Sequence, residues 1–593
     1  MQISYKNNRL EKFLVAINAV TAAVVAATFA MLFGFDKPIF PRHILFTMQA
    51  FLLCVFIIEK FIRFLNASSK LECLRFFWFE IPLLVGLAAA IFGAGRWFGL
   101  EQPVIIRQSS IAIYLVLQVI TKTCRSVVNL TASGGNPTVT LIASFVVLII
   151  GGTLMLMLPK STTSGDMKVV DALFTATSAT CVTGLIVKDT GSDFTIMGQV
   201  VILTLIQLGG LGIVVFGAVF ALILGQAFSV RESVAMQDLL SAKTLDQIGL
   251  IIAFIIAVTL AFEAVGAIAL VGMWDNSFEW TGATGQKWFY SIFHSVSAFC
   301  NAGFSLFDNS LIGYRNSWQI YAVICPLIIL GGLGFGVLYD LFAVLVDQIR
   351  RFFKKRLDKN AAIFMEAPIR LRLQSKVVLL VSASLIILGA VGILIFEHTT
   401  GGGAETDDGF RGALFQSITS RTAGFNTVDI GELSVVTRFI LIILMFIGGS
   451  PGSAAGGIKT VTLAVILMTA IATLRKRNEV EMFKRSIRLV IIGRAVTVIL
   501  LFLAMLISAT LILSITERNS NFDMSQILFE AASALGTVGL TTGITGDLTT
   551  AGKIIIIMTM LIGRLGPLTL LAALTFNLKP AKYNYPEESL IVG

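Results

Sequence analysis

Charged residues are scarce in this chain, and their scarcity excludes a large water-soluble domain. Only 13% of the 593 residues are charged, whereas 56% are hydrophobic and the mean hydropathy is +0.87. These proportions are typical of an integral membrane protein. The formal net charge is +10, and in a membrane protein such an excess of Lys and Arg indicates cytoplasmic loops rather than a nucleic-acid surface. We therefore expect a membrane protein that binds no nucleic acid.

Cysteine and histidine are also rare, which excludes several kinds of site. The six cysteines stand singly, without the C-x-x-C spacing of a metal site or the even ladder of a disulfide framework. The three histidines are His43, His294 and His398. The segment Gly449–Gly452 could mimic the serine motif of an intramembrane protease. Such an enzyme also needs a histidine base close to the serine, and these three histidines are poorly placed for that role. The Gly456–Thr460 string lacks the strand context of a phosphate-binding loop. We expect neither an enzyme nor a cofactor.

Long apolar segments are abundant, and about twelve of them reach the ~20 residues that a spanning helix needs. The first is longer than the apolar region of a signal peptide, so we interpret it as a retained span. Four spans precede a break at Ser133–Pro137, and eight follow it in pairs. The predicted spans are 12–34, 44–66, 77–99, 104–121, 138–158, 195–226, 247–274, 317–345, 376–397, 434–474, 489–515 and 551–577.

Each of the last four pairs of spans encloses a segment too short to cross a bilayer, and these four segments are related. In each, a Phe is followed nine or ten residues later by a Gly and then by a Leu or Phe. The glycines are Gly184, Gly303, Gly424 and Gly539, spaced by 119, 121 and 115 residues. This constant register predicts a fourfold repeat of span, re-entrant segment and span.

A second glycine string recurs 24 to 28 residues after each of these glycines. It reads Gly-Gly-Leu-Gly from Gly209 and from Gly331, Gly-Gly-Ser-Pro from Gly448, and Gly-Arg-Leu-Gly from Gly563. Its recurrence supports the repeat. Close packing of helices through small residues would explain any one of the strings alone, so packing stays an alternative to a functional role.

The repeat divides the chain into an accessory bundle of about four spans, four pore repeats and a tail. The bundle lacks the regular arginine ladder of a voltage sensor, because 104–121 contributes only Arg107. The predicted intervals are 1–130 for the bundle, 131–246, 247–372, 373–487 and 488–577 for the repeats, and 578–593 for a cytoplasmic tail.

The linkers between the repeats are basic, and this predicts the orientation of the chain. Residues 347–376 contain nine Lys and Arg against three acids, and 475–488 form a second basic linker. The positive-inside rule places both in the cytoplasm. Acids such as Asp189 and Asp308 then lie outside, where they would concentrate cations or simply keep short loops soluble.

The re-entrant segments have the residue pattern of an ion filter. The approach to each glycine, about Asp171–Thr180 in the first, predicts a half-helix whose C-terminal carbonyls attract a cation. The glycine accepts positive φ and lets carbonyl oxygens turn toward one axis, where a ring of carbonyls can replace the hydration shell of K⁺. No carboxylate lies in the four triplets. The predicted K⁺-binding residues are Val182, Thr183, Gly184, Asn301, Ala302, Gly303, Thr422, Ala423, Gly424, Thr537, Val538 and Gly539.

From about residue 137 to 577 the chain resembles the pore subunit of the Trk/Ktr/HKT superfamily of potassium transporters. The resemblance rests on the strings Ser420–Thr427, Gly448–Thr460, Gly331–Phe335 and Gly563–Pro567. It implies an all-α membrane fold of four M1-P-M2 repeats in pseudo-fourfold arrangement. In that superfamily, glycine in all four filters goes with potassium transport. The resemblance also implies a homodimer that binds a cytosolic ring of nucleotide-binding regulatory subunits, for which 346–372 and 475–488 are candidate docking surfaces.

A cluster of helix-breaking residues and a buried arginine are the candidates for a gate. The run 448–457 places five glycines, two serines and a proline inside the predicted span 434–474, which must break there. Arg564 lies near mid-membrane, where it costs at least ~2.5 kcal/mol. The resemblance implies that both close the pore beneath the filter; Glu263 or a loop carbonyl could instead be a purely structural partner of Arg564. The predicted gate residues are Gly448, Gly449, Ser450, Pro451, Gly452, Ser453, Gly456, Gly457, Lys459 and Arg564.

Together these features predict potassium uptake across the plasma membrane of a prokaryote, by a multi-pass protein with its basic loops in the cytoplasm. Potassium is expected as the substrate, bound at the filter only. A sodium- or proton-coupled cation symporter of the same fold stays an alternative. A substrate carrier built from inverted repeats is disfavoured, because all four repeats run in the same direction.

Overall fold

A computed structural model describes most of the chain. The described residues are 6–35, 37–38, 40–70, 84–88, single positions within 108–118, 137–212, 248–274, 284–357, 367–400, 409–477, 479–567 and 571. The predicted spans 77–99 and 104–121 lie largely outside these ranges. The linker 213–247, much of the basic loop 346–372 and the tail 578–593 lie wholly or partly outside them as well.

Two long N-terminal helices confirm the first two predicted spans. They are α1 (Asn8–Gly34) and α2 (Arg42–Asn66), which pack against each other. The side chain of Asn7 caps α1 by accepting hydrogen bonds from the first-turn N–H groups, which would otherwise be unpaired. Buried polar groups join the two helices: Asn18 donates to Glu59 at 2.6 Å, and Glu59 forms an ion pair with Arg63 at 2.9 Å.

The first two predicted repeats contain seven α-helices in the described residues. In the first repeat they are α3 (Pro137–Leu156), the short α4 (Val169–Thr180) and α5 (Ile196–Leu211). In the second they are α6 (Ile248–Leu270), the short α7 (Thr284–Phe299), α8 (Cys325–Leu333), which follows a π-helical turn, and α9 (Phe335–Leu357).

The third and fourth predicted repeats continue the same order. In the third, the helices are α10 (Leu373–Thr400), the short α11 (Gly409–Thr419), α12 (Val435–Phe446) and α13 (Thr460–Leu474). In the fourth, they are α14 (Leu489–Thr516), the short α15 (Met524–Gly536) and α16 (Thr550–Leu565). We call α4, α7, α11 and α15 the half-helices.

The described helices form fewer continuous spans than hydropathy predicts. Five are long and apolar enough to cross a membrane, or six if the bent pair Ile320–Leu333 and Phe335–Phe353 is one span. The predicted spans 195–226, 317–345 and 551–577 are not continuous helices, and parts of the first and the last lie outside the described residues. Their helices end at Gly212, Gly334 and Gly566, whose φ angles of 82°, 85° and 82° leave the helical region, and the bend at Gly334 is 104°.

The repeats pack as a closed ring. Each half-helix packs against the first helix of its own repeat and also against a later helix of the preceding repeat. These second contacts join α5 to α7, α8 to α11, α12 to α15, and α16 to α4, so the last repeat returns to the first. The Phe of the repeated string is fully buried in all four half-helices, at Phe174, Phe293, Phe415 and Phe529.

A small β-hairpin interrupts the otherwise helical fold, so a wholly α description needs this correction. Strands β1 (Glu481–Met482) and β2 (Arg485–Ser486) pair antiparallel within the basic linker 475–488. Both turn residues, Phe483 and Lys484, have positive φ, as the tight turns of two-residue hairpins require. Met482 packs with Val377 and Ala464 and so anchors the linker to the helices.

Candidate functional site

The four half-helices end in turns with the same backbone signature. The first residue of each predicted filter triplet has positive φ although it is not glycine, at Val182 (56°), Asn301 (57°), Thr422 (83°) and Thr537 (51°). Two residues later each glycine is also left-handed, with φ between 69° and 93°. Non-glycine residues adopt this conformation rarely, and they do so mostly at helix ends, in tight turns and at functional sites.

The four turns meet one another around one axis. Each glycine lies against the backbone carbonyl of the middle residue of a neighbouring triplet, so closely that an added Cβ atom would collide with it. The pairs are Gly184 with Ala302, Gly303 with Ala423, Gly424 with Val538, and Gly539 with Thr183. This order closes on itself after four steps. A ring of such carbonyls has the chemistry to bind a dehydrated monovalent cation.

Hydroxyl groups that the sequence reasoning missed hold each turn to its half-helix. They belong to a Ser or Thr five or six residues before the filter glycine, namely Ser178, Ser297, Thr419 and Ser533. In the first and fourth repeats the hydroxyl accepts from the glycine N–H at 3.1 Å. In the second and third it donates to the carbonyl after the glycine at 2.8 Å. Their recurrence in all four segments was the signal available in the sequence.

Acidic side chains follow three of the four turns. Asp189, Asp308 and Asp429 each stand five residues after a filter glycine, and Ile544 has that place in the fourth repeat. The carboxylates of Asp189 and Asp429 accept from glycine N–H groups two residues on, both at 2.8 Å. The negative charge of Asp189 raises the pKa of Asp308 above its ordinary value. Acidic groups close to the turns attract cations.

The glycine-rich run 448–457 forms a closed loop between two helices. The chain leaves α12 at Phe446 and begins α13 at Thr460. Ile458 N–H donates to the Phe446 carbonyl at 3.2 Å, and Thr460 N–H donates to the Gly449 carbonyl at 3.1 Å, which joins the two ends. We call residues 447–459 the intramembrane loop.

The intramembrane loop contacts the second and fourth repeats directly, and Arg564 links it to the first. Ser450 N–H donates to the Gly332 carbonyl at 3.0 Å, next to the bend of the second repeat. Gly456 lies against the hydroxyl of Thr537, the first residue of the fourth filter triplet. Arg564 donates one hydrogen bond to the Ala454 carbonyl of the loop and another to the Gly209 carbonyl of the first repeat.

The other predicted gate residues also lie in or against this loop. The Lys459 ammonium donates to the Ala455 carbonyl at 2.6 Å, and the Ser453 hydroxyl donates to the Ser450 carbonyl at 2.7 Å. The carbonyl oxygen of Pro451 lies 2.7 Å from the place that a Cβ atom on Gly334 would take. The remaining glycines close the loop: Gly448 against the Gly456 carbonyl and Gly457 against Gly448, while Gly452 accepts from Phe335 N–H at 3.1 Å.

Glu263 is buried, and in the described residues it does not pair with Arg564 as one alternative proposed. Its carboxylate accepts from Gln207 at 3.3 Å, and the Cys300 thiol lies 3.9 Å from it. Arg564 instead has two backbone carbonyls as partners in the described part of the chain. The loop carbonyl, the other structural partner considered, is therefore the one observed.

The second glycine string both packs closely and ends helices. Cβ atoms on Gly209, Gly331 and Gly563 would collide with carbonyls at the ends of the half-helices, those of Thr180, Phe299 and Leu535. The packing alternative is therefore right for the first glycine of each of these strings. The last glycine has the separate effect of ending its helix.

Comparisons with known proteins agree with this architecture. Residues 102–584 match the TrkH family, described as cation transport protein. The chain is 38% identical over 460 residues to the Ktr system potassium uptake protein B of Bacillus subtilis, covering 77% of this chain and 96% of that protein. It is 36% identical over 465 residues to the protein of the same name from Vibrio alginolyticus, covering 78% and 96%.

A solved structure has a similar fold. The crystal structure of the potassium transporter TrkH from Vibrio parahaemolyticus aligns with a TM-score of 0.57 at 19% identity. The alignment covers 85% of this chain and 97% of that one. At this identity the likeness concerns the fold alone.

Proposed function

Because this chain belongs to the TrkH family of cation transport proteins, we propose that it is the membrane subunit of a potassium uptake system. Relatives that are 36% and 38% identical to it over the aligned residues are named potassium uptake proteins, and 96% of the length of each is covered. The chain is a multi-pass membrane protein with five or six long apolar helices in its described residues. Its substrate under this proposal is K⁺ itself.

The four turns act as the selectivity filter under this proposal, and four M1-P-M2 repeats carry them. The support is the cyclic contact between filter glycines and neighbouring carbonyls. A side chain on any of these glycines would enter the ring, so the ring requires glycine at all four positions. Half-helix C-termini, which carry partial negative charge, end next to the ring and favour a cation.

The intramembrane loop acts as the gate, with Arg564 holding it closed. Its support is the set of contacts at the loop: Gly456 against Thr537, and Arg564 bonded to Ala454 and Gly209. A loop joined to the other three repeats obstructs the path beneath the filter. Opening requires the two guanidinium bonds to break, and the fixed positive charge adds to the barrier for a cation.

The assembly and orientation belong to the same proposal. The basic linkers lie in the cytoplasm, the acidic residues after the turns lie outside, and the membrane is the plasma membrane of a prokaryote. Two copies form a homodimer in which each chain has its own pore. A cytosolic ring of nucleotide-binding regulatory subunits docks on the basic linkers, and the hairpin Glu481–Ser486 gives the second linker a defined shape for this contact.

The glycine ring carries the proposal, and Gly184→Ser tests it. Uptake of Rb⁺ or K⁺ into proteoliposomes is expected for the unaltered protein. The serine side chain would collide with the Ala302 carbonyl, so we expect discrimination against Na⁺ to fall by roughly tenfold, equivalent to ~1.4 kcal/mol.

Gly165→Ser is the matched control for this test. Gly165 has a similar positive φ of 72°, but nothing lies within 4 Å of its added Cβ atom. It therefore reproduces the backbone strain without entering the ring. Absence of uptake by the unaltered protein would contradict potassium transport. Equal selectivity of Gly184→Ser and Gly165→Ser would contradict the filter assignment.

A further inference from the structure

A buried polar side chain follows the repeated Phe on every half-helix. These four side chains are Thr175, His294, Gln416 and Glu530, and each is at most 1% exposed. They occupy equivalent positions in the repeat but differ in chemistry. Burial of a polar group is costly unless it is hydrogen-bonded, so their partners indicate what each one does.

In the fourth repeat, Glu530 binds the segment that follows the filter. Its carboxyl oxygens accept from the hydroxyls of Thr541, at 3.0 Å, and Thr545. These two hydroxyls are themselves 2.8 Å apart, and Thr541 also accepts from the Gly543 N–H at 3.0 Å. Thr541 is only two residues beyond the filter glycine, Gly539. Glu530 thus joins the half-helix to the outer end of its filter turn.

In the second repeat, His294 makes the equivalent connection. Its Nδ1 atom lies 2.8 Å from the Tyr290 carbonyl, which can only accept, so Nδ1 carries the proton and Nε2 accepts. Nε2 lies 3.1 Å from the hydroxyl of Ser305, again two residues beyond a filter glycine. The N–H of Leu306 also points to Nε2, at 3.4 Å.

In the described residues, the first and third repeats lack this connection. The Thr175 hydroxyl donates to the Asp171 carbonyl of its own half-helix. The residue two positions beyond the filter glycine is Ile186 there. In the described part of the chain, the side chain of Gln416 has no hydrogen-bond partner. Because the repeats follow one another around the ring, the two connected turns face each other across it.

We propose that Glu530 and His294 are positioning residues that set the selectivity for K⁺ over Na⁺. Each one fixes the segment after its filter glycine to its half-helix, on two turns that face each other across the ring, and we call each of these two connections a tie. A turn held by its half-helix at one end and by a tie at the other cannot move inward to meet a smaller ion or outward to admit a hydrated one. The ties lie outside the carbonyl ring and do not touch the ion. This inference deepens the proposed function and rests on it.

The test compares Rb⁺ and Na⁺ uptake by folded variants in proteoliposomes. Glu530→Leu removes both hydrogen bonds of one tie, and we expect the Rb⁺ to Na⁺ uptake ratio to fall about tenfold, as the loss of one or two buried hydrogen bonds would produce. Glu530→Gln keeps a hydrogen-bonding group of the same size and should restore most of the ratio. Thr175→Val is the matched control, because it alters the same position where no tie exists.

Ser305→Ala provides a second, milder variant on the opposite side of the ring. It removes one hydroxyl at the second tie, and we expect a fall in the ratio of about threefold, since a single neutral hydrogen bond is lost. If Glu530→Leu does not fold, Ser305→Ala decides.

Two results would overturn the inference: an unchanged ratio in these variants, or an equal fall in Thr175→Val. Failure of the proposed function itself is distinguishable, because the unaltered protein would then take up no Rb⁺.

Discussion

Arg564 places a permanent positive charge at the end of α16, where the helix stops before Gly566. Its guanidinium group is well suited to this position, because its fixed fork of donors reaches two carbonyls of different repeats at once. One carbonyl belongs to the intramembrane loop and the other to Gly209. A single side chain therefore links the intramembrane loop to the first repeat.

Replacement of Arg564 by Ala is expected to raise K⁺ flux by about tenfold or more, because hydrogen bonds to charged groups contribute about 1.5–3 kcal/mol each. Arg564→Lys keeps the charge but not the fork, so an intermediate flux is expected. The measurement is Rb⁺ influx into proteoliposomes at equal protein content. Arg494, an exposed residue of α14, provides the control Arg494→Ala. A lower flux in folded Arg564→Ala would contradict the gating role.

At the scale of elements, the ring of repeats is closed by a contact between α16 and α4. Lys553 of α16 forms an ion pair with Asp171 of α4 at 2.9 Å, and both side chains are largely buried. Asp171 lies in the first turn of α4, where the helix dipole favours a negative charge. The pair joins the fourth repeat to the first, 382 residues apart in the chain.

The variant Lys553→Met should lower the unfolding temperature of the detergent-solubilised protein. It leaves the buried Asp171 carboxylate unpaired, which costs about 3–5 kcal/mol. Adding Asp171→Asn removes that charge and should recover part of the loss. The exposed pair Arg477 and Glu481 is the control, because Glu481→Gln should change stability by at most about 1 kcal/mol. Equal effects of Lys553→Met and Glu481→Gln would rule out a structural role for the buried pair.

At the scale of the whole molecule, the proposed orientation places basic and acidic residues on opposite sides of the membrane. The basic linkers and the acidic residues Asp189, Asp308 and Asp429 lie on opposite sides of the carbonyl ring in the proposed orientation. An acidic mouth raises the local concentration of cations before they reach the filter. This effect operates through space and requires no direct contact with the ion.

Uptake at low K⁺ concentration should therefore decrease as the external pH falls. The charge of Asp189 raises the pKa of Asp308, so Asp308 takes up a proton at a higher pH than an isolated aspartate and is neutralised early in the titration. Asp308→Asn should weaken apparent K⁺ affinity near neutral pH and flatten this part of the pH profile. The measurement is the K⁺ dependence of uptake at several external pH values. A pH profile unchanged by Asp308→Asn would exclude its contribution.

Much of the fold and of the candidate site was predictable from the sequence, because the relevant signals are local. Apolar length marked the membrane segments, and the recurring Phe and Gly marked four half-helices and their turns. The run 448–457 had too many glycines to remain helical, and the chain does leave the helix at Phe446. Hydropathy failed at Gly212, Gly334 and Gly566, because an average over a window does not detect one left-handed residue inside an apolar segment.

The amino-acid sequence by itself determined that this protein lies in a membrane, that it contains four related segments, and which glycines stand at their turns. Only the tertiary structure decided which carbonyl faces which glycine, that Arg564 binds Ala454 and Gly209 rather than Glu263, and that Glu530 and His294 reach the segments that follow their turns. The physical reason is distance along the chain. Periodicity and propensity act over a few residues. The ring contacts join residues more than a hundred positions apart, and the contacts of Glu530 and His294 reach eleven residues across a turn, so that only packing brings either set together.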